Sequence, residues 1–190
     1  MKTELLLSFA IGVALAAAYT PVASAINAAT GTPLSAASGN SAVLADPADA
    51  GAAQAAVLRA QILLDRAHFS PGEIDAAYGG NMRKAIMAYQ QSKSLSANGV
   101  LDATTWSMLN NDDVPALSDY VITEADVAGP FVSIPSSMAG KSKLPALGYG
   151  SALEALGEKF HASPRLLQRL NTSADFSRAG EKISVPNVLS

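Results

Sequence analysis

Between Val57 and Leu109 apolar residues recur at helical spacing three times over, and the three stretches are parted by short loops built on Gly and Asp. Such a pattern commits the segment to short helices closing on one another. The first helix is predicted from Asp46, an N-cap ahead of Pro47 at the first helical position, to about Arg66. Val57, Gln61 and Leu64, with Leu58 and Ile62 alongside, form its core stripe. The second, from about Asn81 to Ser92, repeats the stripe with Met82, Ala85, Ile86 and Tyr89. Asp102 is the expected N-cap of the third, where Leu101 would pack as a hydrophobic staple on Trp106. The loops Ser70-Pro71-Gly72-Glu73-Ile74-Asp75 and Asn98-Gly99-Val100-Leu101-Asp102 look like a near-repeat, Gly supplying positive φ and Asp binding nearby backbone N–H groups. A domain over 46–111 follows, with its core around Trp106. Units of this size bury only about 60% of their unfolded surface, so docking on the rest of the chain is expected to help hold it.

The ends of the chain read differently. Lys2, the apolar run Leu5 to Ala18, Pro21 and Ala23-Ser24-Ala25 predict a cleavable signal peptide over 1–25. The run of about fourteen apolar residues is short of the ~20 needed to span a membrane. Residues 26–45, rich in Ala, Ser, Thr, Gly and Asn, predict a flexible tether. The sequence has no cysteine, hence neither a disulfide framework nor a thiol for lipid attachment. A periplasmic or secreted protein, not a lipoprotein and free of the membrane after cleavage, is the expectation. Net charge is −3 with no basic run, which argues against nucleic acid as a partner.

After a polar linker over 112–119, Tyr120-Val121-Ile122-Thr123 reads as a strand, followed by a Pro-, Ser- and Gly-rich insertion over 124–148. Ser151 and Glu154 have capping-box spacing, with Leu153, Leu156 and Phe160 on one helical face. Ser163-Pro164 starts another helix carrying Leu166, Leu167 and Leu170, Asn171 ends it, and Lys182 to Pro186 alternates like a strand. Residues 120–190 therefore predict a β-α-α-β module.

The wording of the first segment is specific. Val57-Leu58-Arg59-Ala60-Gln61 with Leu64, Gly72 to Gly79, Ala85, Tyr89-Gln90, Gly99-Val100-Leu101-Asp102 and Thr104-Thr105-Trp106 resemble a peptidoglycan-binding module. Tyr120 to Thr123, Ser163, Leu167, Leu170-Asn171, Gly180, Ile183 and Val185-Pro186 resemble a degenerate LysM module, without the Gly-Asp-Thr-Leu turn usual after its first strand. The fold class implied is mainly α: a three-helix bundle and then a small α+β module. Together with Arg66 to Gly72 and Ala179 to Val188, the pair resembles the non-catalytic N-terminal half of exported L,D-transpeptidases. Those enzymes attack with a Cys thiolate, and a chain without Cys cannot run that reaction. The resemblance thus implies a non-catalytic wall-binding protein. One alternative is the targeting part of a transpeptidase whose catalytic domain is lost or separately encoded; a weaker one is a scaffold for another cell-wall enzyme.

Candidate site residues are few. His68 and His161 have no second ligand at i+3 or i+4, so no metal or cofactor is expected. No Gly-x-Ser-x-Gly elbow is present, and Glu73 with Asp75 reads as turn chemistry. The resemblance places peptidoglycan contact on the rim of Asp75, Tyr78, Gly79, Asn81 and Arg83. An alternative stays open, in which Tyr78 closes the core and Asp75 holds its own loop. Ala76 stands where the family has Gly.

Overall fold

The computed structural model describes residues 34–45, 50–111, 113–132, 135, 137–142 and 148–188. The predicted signal peptide, residues 26–33, Asp46, Pro47 and part of the 124–148 insertion lie outside them. The organising element is helix α2 (Ala50–Arg66), because its apolar residues do not share one stripe. Ala53, Ala56, Val57, Ala60, Leu63 and Leu64 enter one core, and Ala55, Leu58 and Ile62 enter another. A helix apolar on two sides is stable in water only when both are covered.

The first cover comes from α3 (Gly80–Ser92) and α4 (Ala103–Leu109), whose Met82, Ile86, Tyr89, Trp106 and Leu109 pack against α2. The Phe69 and Tyr89 rings meet edge to face with centroids 5.5 Å apart. Asp102 caps α4, accepting the Thr105 N–H at 2.8 Å. Two buried glutamines fasten the two Gly-Asp loops. Gln61 Nε2 donates to Asp75 Oδ1 and the Ala77 carbonyl, while its Oε1 accepts the N–H groups of Asp75 and Ala76. Gln90 does the same for the second loop, Nε2 donating to Asn98, Val100 and Thr105 and Oε1 accepting the Gly99 N–H.

The second cover is a two-stranded antiparallel sheet, β1 (Leu117–Val121) on β2 (Lys182–Pro186), with Leu117 opposite Pro186 and Val121 opposite Lys182. Between the strands the chain forms α5 (Glu124–Val127), α6 (Met138–Lys141), α7 (Ala152–Lys159) and α8 (Pro164–Leu170). Leu117, Ile122, Leu156, Phe160, Leu166, Leu167, Ile183 and Val185 close over Leu58 and Ile62 of α2. Ser151 caps α7, but the Glu154 carboxylate accepts from Gly150 N–H, one residue before the position a capping box requires. Ser163 caps α8, and the Asn171 side chain at its end exchanges two hydrogen bonds with Ser184 of β2. Overall the described chain is mainly helical with one small sheet.

Two boundaries differ from expectation. The tether over 26–45 does not hold for 34–45, which carry helix α1 (Ala36–Asn40) packed beside β1. Leu34 is buried, and the Asn40 side chain bonds both the N–H and the carbonyl of Leu117, as a neighbouring strand would. Small residues make this possible: a Cβ on Gly39 would stand 2.6 Å from a Leu117 methyl. The 112–119 linker likewise ends early, because Ala116 and Leu117 are buried and β1 starts at Leu117. Arg66 adds to the join, its Nε donating to the Asn187 carbonyl at 2.6 Å and its Nη2 to that of Pro115. None of the described helices is long and apolar enough to cross a membrane.

Candidate functional site

The five rim residues come together at the start of α3, where the two Gly-Asp loops meet. Asp75 is engaged inside its own loop, Oδ1 accepting from Gln61 Nε2 and from Ala77 N–H, each at 2.8 Å. Tyr78 is half buried against the α2–α4 core, and its hydroxyl donates to the Gly99 carbonyl, pinning one loop to the other. Burial pushes its phenol up, an effect the nearby Arg83 charge opposes. Gly79 is the exposed N-cap of α3. Asn81 lies against Gly72, and the Arg83 stem covers Gly99, whose φ is +71°. Among the described residues neither Asn81 nor Arg83 makes a side-chain hydrogen bond, and both are exposed.

Beside this rim runs a cleft of about 940 Å³ that sequence reasoning missed. Asp65, His68, Ser70, Gly72 and Glu73 form one wall, and Tyr149, Glu154, Gly157, Glu158, His161 and Pro164 the other. The walls are about ninety residues apart in sequence, and a local pattern cannot register them. They are stitched by main chain: Ile74 N–H donates to the His161 carbonyl at 2.8 Å, and Ser163 N–H to the Ile74 carbonyl at 2.9 Å. His161 Nδ1 lies 2.9 Å from Asp65 Oδ2 across the floor. Gly72 of the cleft lies against Asn81, so the cleft borders the rim.

Both histidines sit where helices stop. His68 (φ +64°) follows α2, its N–H bonding the Asp65 carbonyl while Phe69 N–H reaches back to Leu64. His161 (φ +53°) follows α7 in the same way, with Ala162 N–H bonding Gly157. These are Schellman closures. Among the described residues no group of three His or acidic side chains is arranged to hold a metal ion.

A second polar cluster has a structural assignment. Lys159 Nζ lies 2.5 Å from the Tyr120 hydroxyl and 2.9 Å from Asp126 Oδ1, and Tyr120 and Thr123 donate to Asp126 Oδ2. Burial would raise the Asp126 carboxyl, but the hydrogen bonds from Tyr120, Lys159 and Thr123 outweigh it and hold the group well below the usual carboxylate range. Burial would also lower Lys159, yet Tyr120 and Asp126 prevail and raise it. A lysine held protonated is a clasp between β1, α5 and α7 and a poor nucleophile.

The carboxy-terminal processing protease CtpB of Bacillus subtilis (strain 168) is 38% identical over 63 residues, 33% of this chain and 13% of the protease. The match thus spans a small part of that relative's length. Residues 53–109, which contain all five rim residues and the two glutamines that brace their loops, match the family model of the peptidoglycan binding domain, and this stretch is a peptidoglycan-binding-like domain.

Proposed function

We propose that this chain is an exported, non-catalytic peptidoglycan-binding protein acting outside the cytoplasm. The carrying observation is the match of residues 53–109 to the peptidoglycan binding domain, on a fold that leaves Asn81 and Arg83 exposed beside the cleft. The proposed contact residues are Asn81, Arg83 and the main chain of Gly79; Asp75 and Tyr78 shape the rim from behind. The helical pair α7 and α8, flanked by β1 and β2, is the part proposed as LysM-like. Its burial against α2 speaks for one continuous binding body in place of two modules on a flexible chain. Co-sedimentation of the purified protein with sacculi tests the reading. We expect retention of the parent and a loss of about tenfold in an Asn81→Ala plus Arg83→Ala variant whose unfolding midpoint stays close to the parent's, two to three lost polar contacts at ~0.5–1.5 kcal/mol each giving that scale. A parent that stays in the supernatant ends this proposal.

One observation favours a second reading. The CtpB match covers a small share of a protease, so a segment like this one occurs as an appendage of an enzyme. In that reading the chain is the wall-targeting part of a larger activity, with an L,D-transpeptidase as the proposed one. Translating the DNA downstream of Ser190 decides it: a Ser-x-Gly-Cys-x-Arg motif in any frame favours the appendage, and an unrelated gene favours the free-standing binder.

A further inference from the structure

Arg59 is a charged side chain only 6% exposed, lying at the floor of a pocket of about 390 Å³. Its neighbours there are Asn40 from α1, Asn110 and Asn111 after α4, and Asp113, Val114 and Pro115 leading to β1. Nε donates to Asn110 Oδ1 at 2.6 Å and Nη1 to the Asn40 carbonyl at 3.2 Å. A guanidinium carries five N–H groups, so these neutral acceptors leave most of its fork unused. Among the described residues no carboxylate lies within 4.0 Å of it. Nor does the described structure contain a sealed polar side-chain atom without a partner, so Nη2, which has no acceptor among the described residues, is reached from the pocket that Arg59 lines. The C-terminal ends of the short helices α1 and α4 supply partial negative charge only. A buried cation with no described carboxylate within 4.0 Å is expensive to keep, and the planar fork matches a carboxylate better than any other common group.

We infer that this pocket is a carboxylate-binding site, which takes the C-terminal carboxylate of a peptide on the open edge of Arg59. The choice of occupant rests on the wall-binding reading, because stem peptides of peptidoglycan end in a carboxylate. The volume lies in the range of small-ligand sites, and Asn111, exposed at the mouth, offers amide groups to a peptide backbone. Asp113 is the one charge besides Arg59 among the lining residues, and it is exposed. Its charge weakens anion binding modestly and disfavours a dianion more than a group with one negative charge. The pocket also lies apart from the rim. It uses the outward end of Asn110 and segments on both sides of residues 53–109, so the matched domain alone would not form it.

The test is an NMR titration of the full chain with acetylated D-alanyl-D-alanine, its C-terminal amide, and acetate, followed at the Arg59 Nε–H and the Asn110 and Asn111 backbone signals. The acid should bind about tenfold or more tightly than the amide, the scale of a charge-assisted pair, and acetate should bind more weakly than the dipeptide. Arg59→Lys keeps the charge, loses the fork and should abolish the preference for the acid. Should that buried variant unfold, Asp113→Asn is exposed and should tighten the acid by roughly two- to fivefold. Equal affinity for acid and amide, or an Asp113→Asn variant indistinguishable from the parent, overturns the site; acetate equal to the dipeptide overturns the peptide assignment. Retention on sacculi without acid binding removes the pocket and leaves the wall-binding reading standing, while acid binding without retention supports the pocket and removes that reading.

Discussion

Among the described residues three helices stop on a residue with positive φ that is not glycine: His68 after α2, Ser94 after α3 and His161 after α7. Each closes the same pair of hydrogen bonds, and for Ser94 they run from its own N–H to Gln91 and from Leu95 N–H to Gln90. A left-handed L-residue costs about 1–2 kcal/mol, and glycine removes that while adding about 0.5–1 kcal/mol of unfolded-chain freedom. Relief wins where the side chain has no other duty. Ser94 is exposed and makes no side-chain hydrogen bond among the described residues. Ser94→Gly should therefore stabilise by about 0.5–1 kcal/mol, raising Tm by roughly 1–4 °C. His161→Gly should gain less, because it gives up the contact with Asp65. Calorimetry of the two variants checks both; a Ser94→Gly variant less stable than the parent would show that the serine side chain contributes more to this turn than the backbone strain removes.

At the scale of elements, the clasp of Tyr120, Asp126 and Lys159, with the partly buried Val127, holds α5, a single turn without a fully buried residue, against β1 and α7. Its stability follows pH with a definite sign. Asp126 has a folded pKa below its unfolded one, so its contribution is complete above the ordinary carboxylate value of about 3.9 and is lost as pH falls below it. Lys159 is raised, so its share persists through neutral pH and is lost only as pH climbs past about 10.4. Asp126→Asn should lower stability by about 1–3 kcal/mol at pH 7, and the gap from the parent should narrow between pH 4 and pH 2, as read from urea midpoints. A gap that does not change with pH would mean that the carboxylate's charge is not what the clasp uses. Four helix ends were legible from their caps: Asp102, Ser151, Ser163 and Asn171 each sit at a helix end as their residue types suggest, whereas α5, capped by Thr123 and Asp126, reads as part of the insertion because its single turn fully buries no residue. α1 was not legible, because Ala, Ser, Gly and Asn carry little apolar area and the helix owes its place to the surface of β1. Gln61 was read only as part of an apolar stripe. Its spacing resembles that of a core residue, and nothing local says that its amide braces a loop fourteen residues away.

For the molecule as a whole, the decisive fact is that α2 belongs to two cores. Leu58, Ile62 and Ile74, all from the 53–109 stretch, are fully buried under the sheet, α7 and α8, and not within the α2–α4 core. The sequence shows Leu58 and Ile62 as apolar but cannot show which partner covers them; that depends on strands more than fifty residues further on. The rim and its loops could be anticipated from local wording, whereas the cleft and the Arg59 pocket arise only from the docking of distant segments. An energetic consequence follows. Exposing three such side chains forfeits about 1.5–3 kcal/mol each, and the Ile74 bridge to Ala162 and the Arg66 bonds to Asn187 and Pro115 go with them. Against a total of ~5–15 kcal/mol for a domain, this loss leaves little of the native state. Residues 46–111 made alone should thus fail to show a cooperative urea transition, while the full chain unfolds in one step with fluorescence of Trp106 and far-UV circular dichroism superimposable. Two separated transitions in the full chain, or a sharp one in the fragment, would mean that the peptidoglycan-binding-like domain is self-sufficient and that the seam is a dispensable contact.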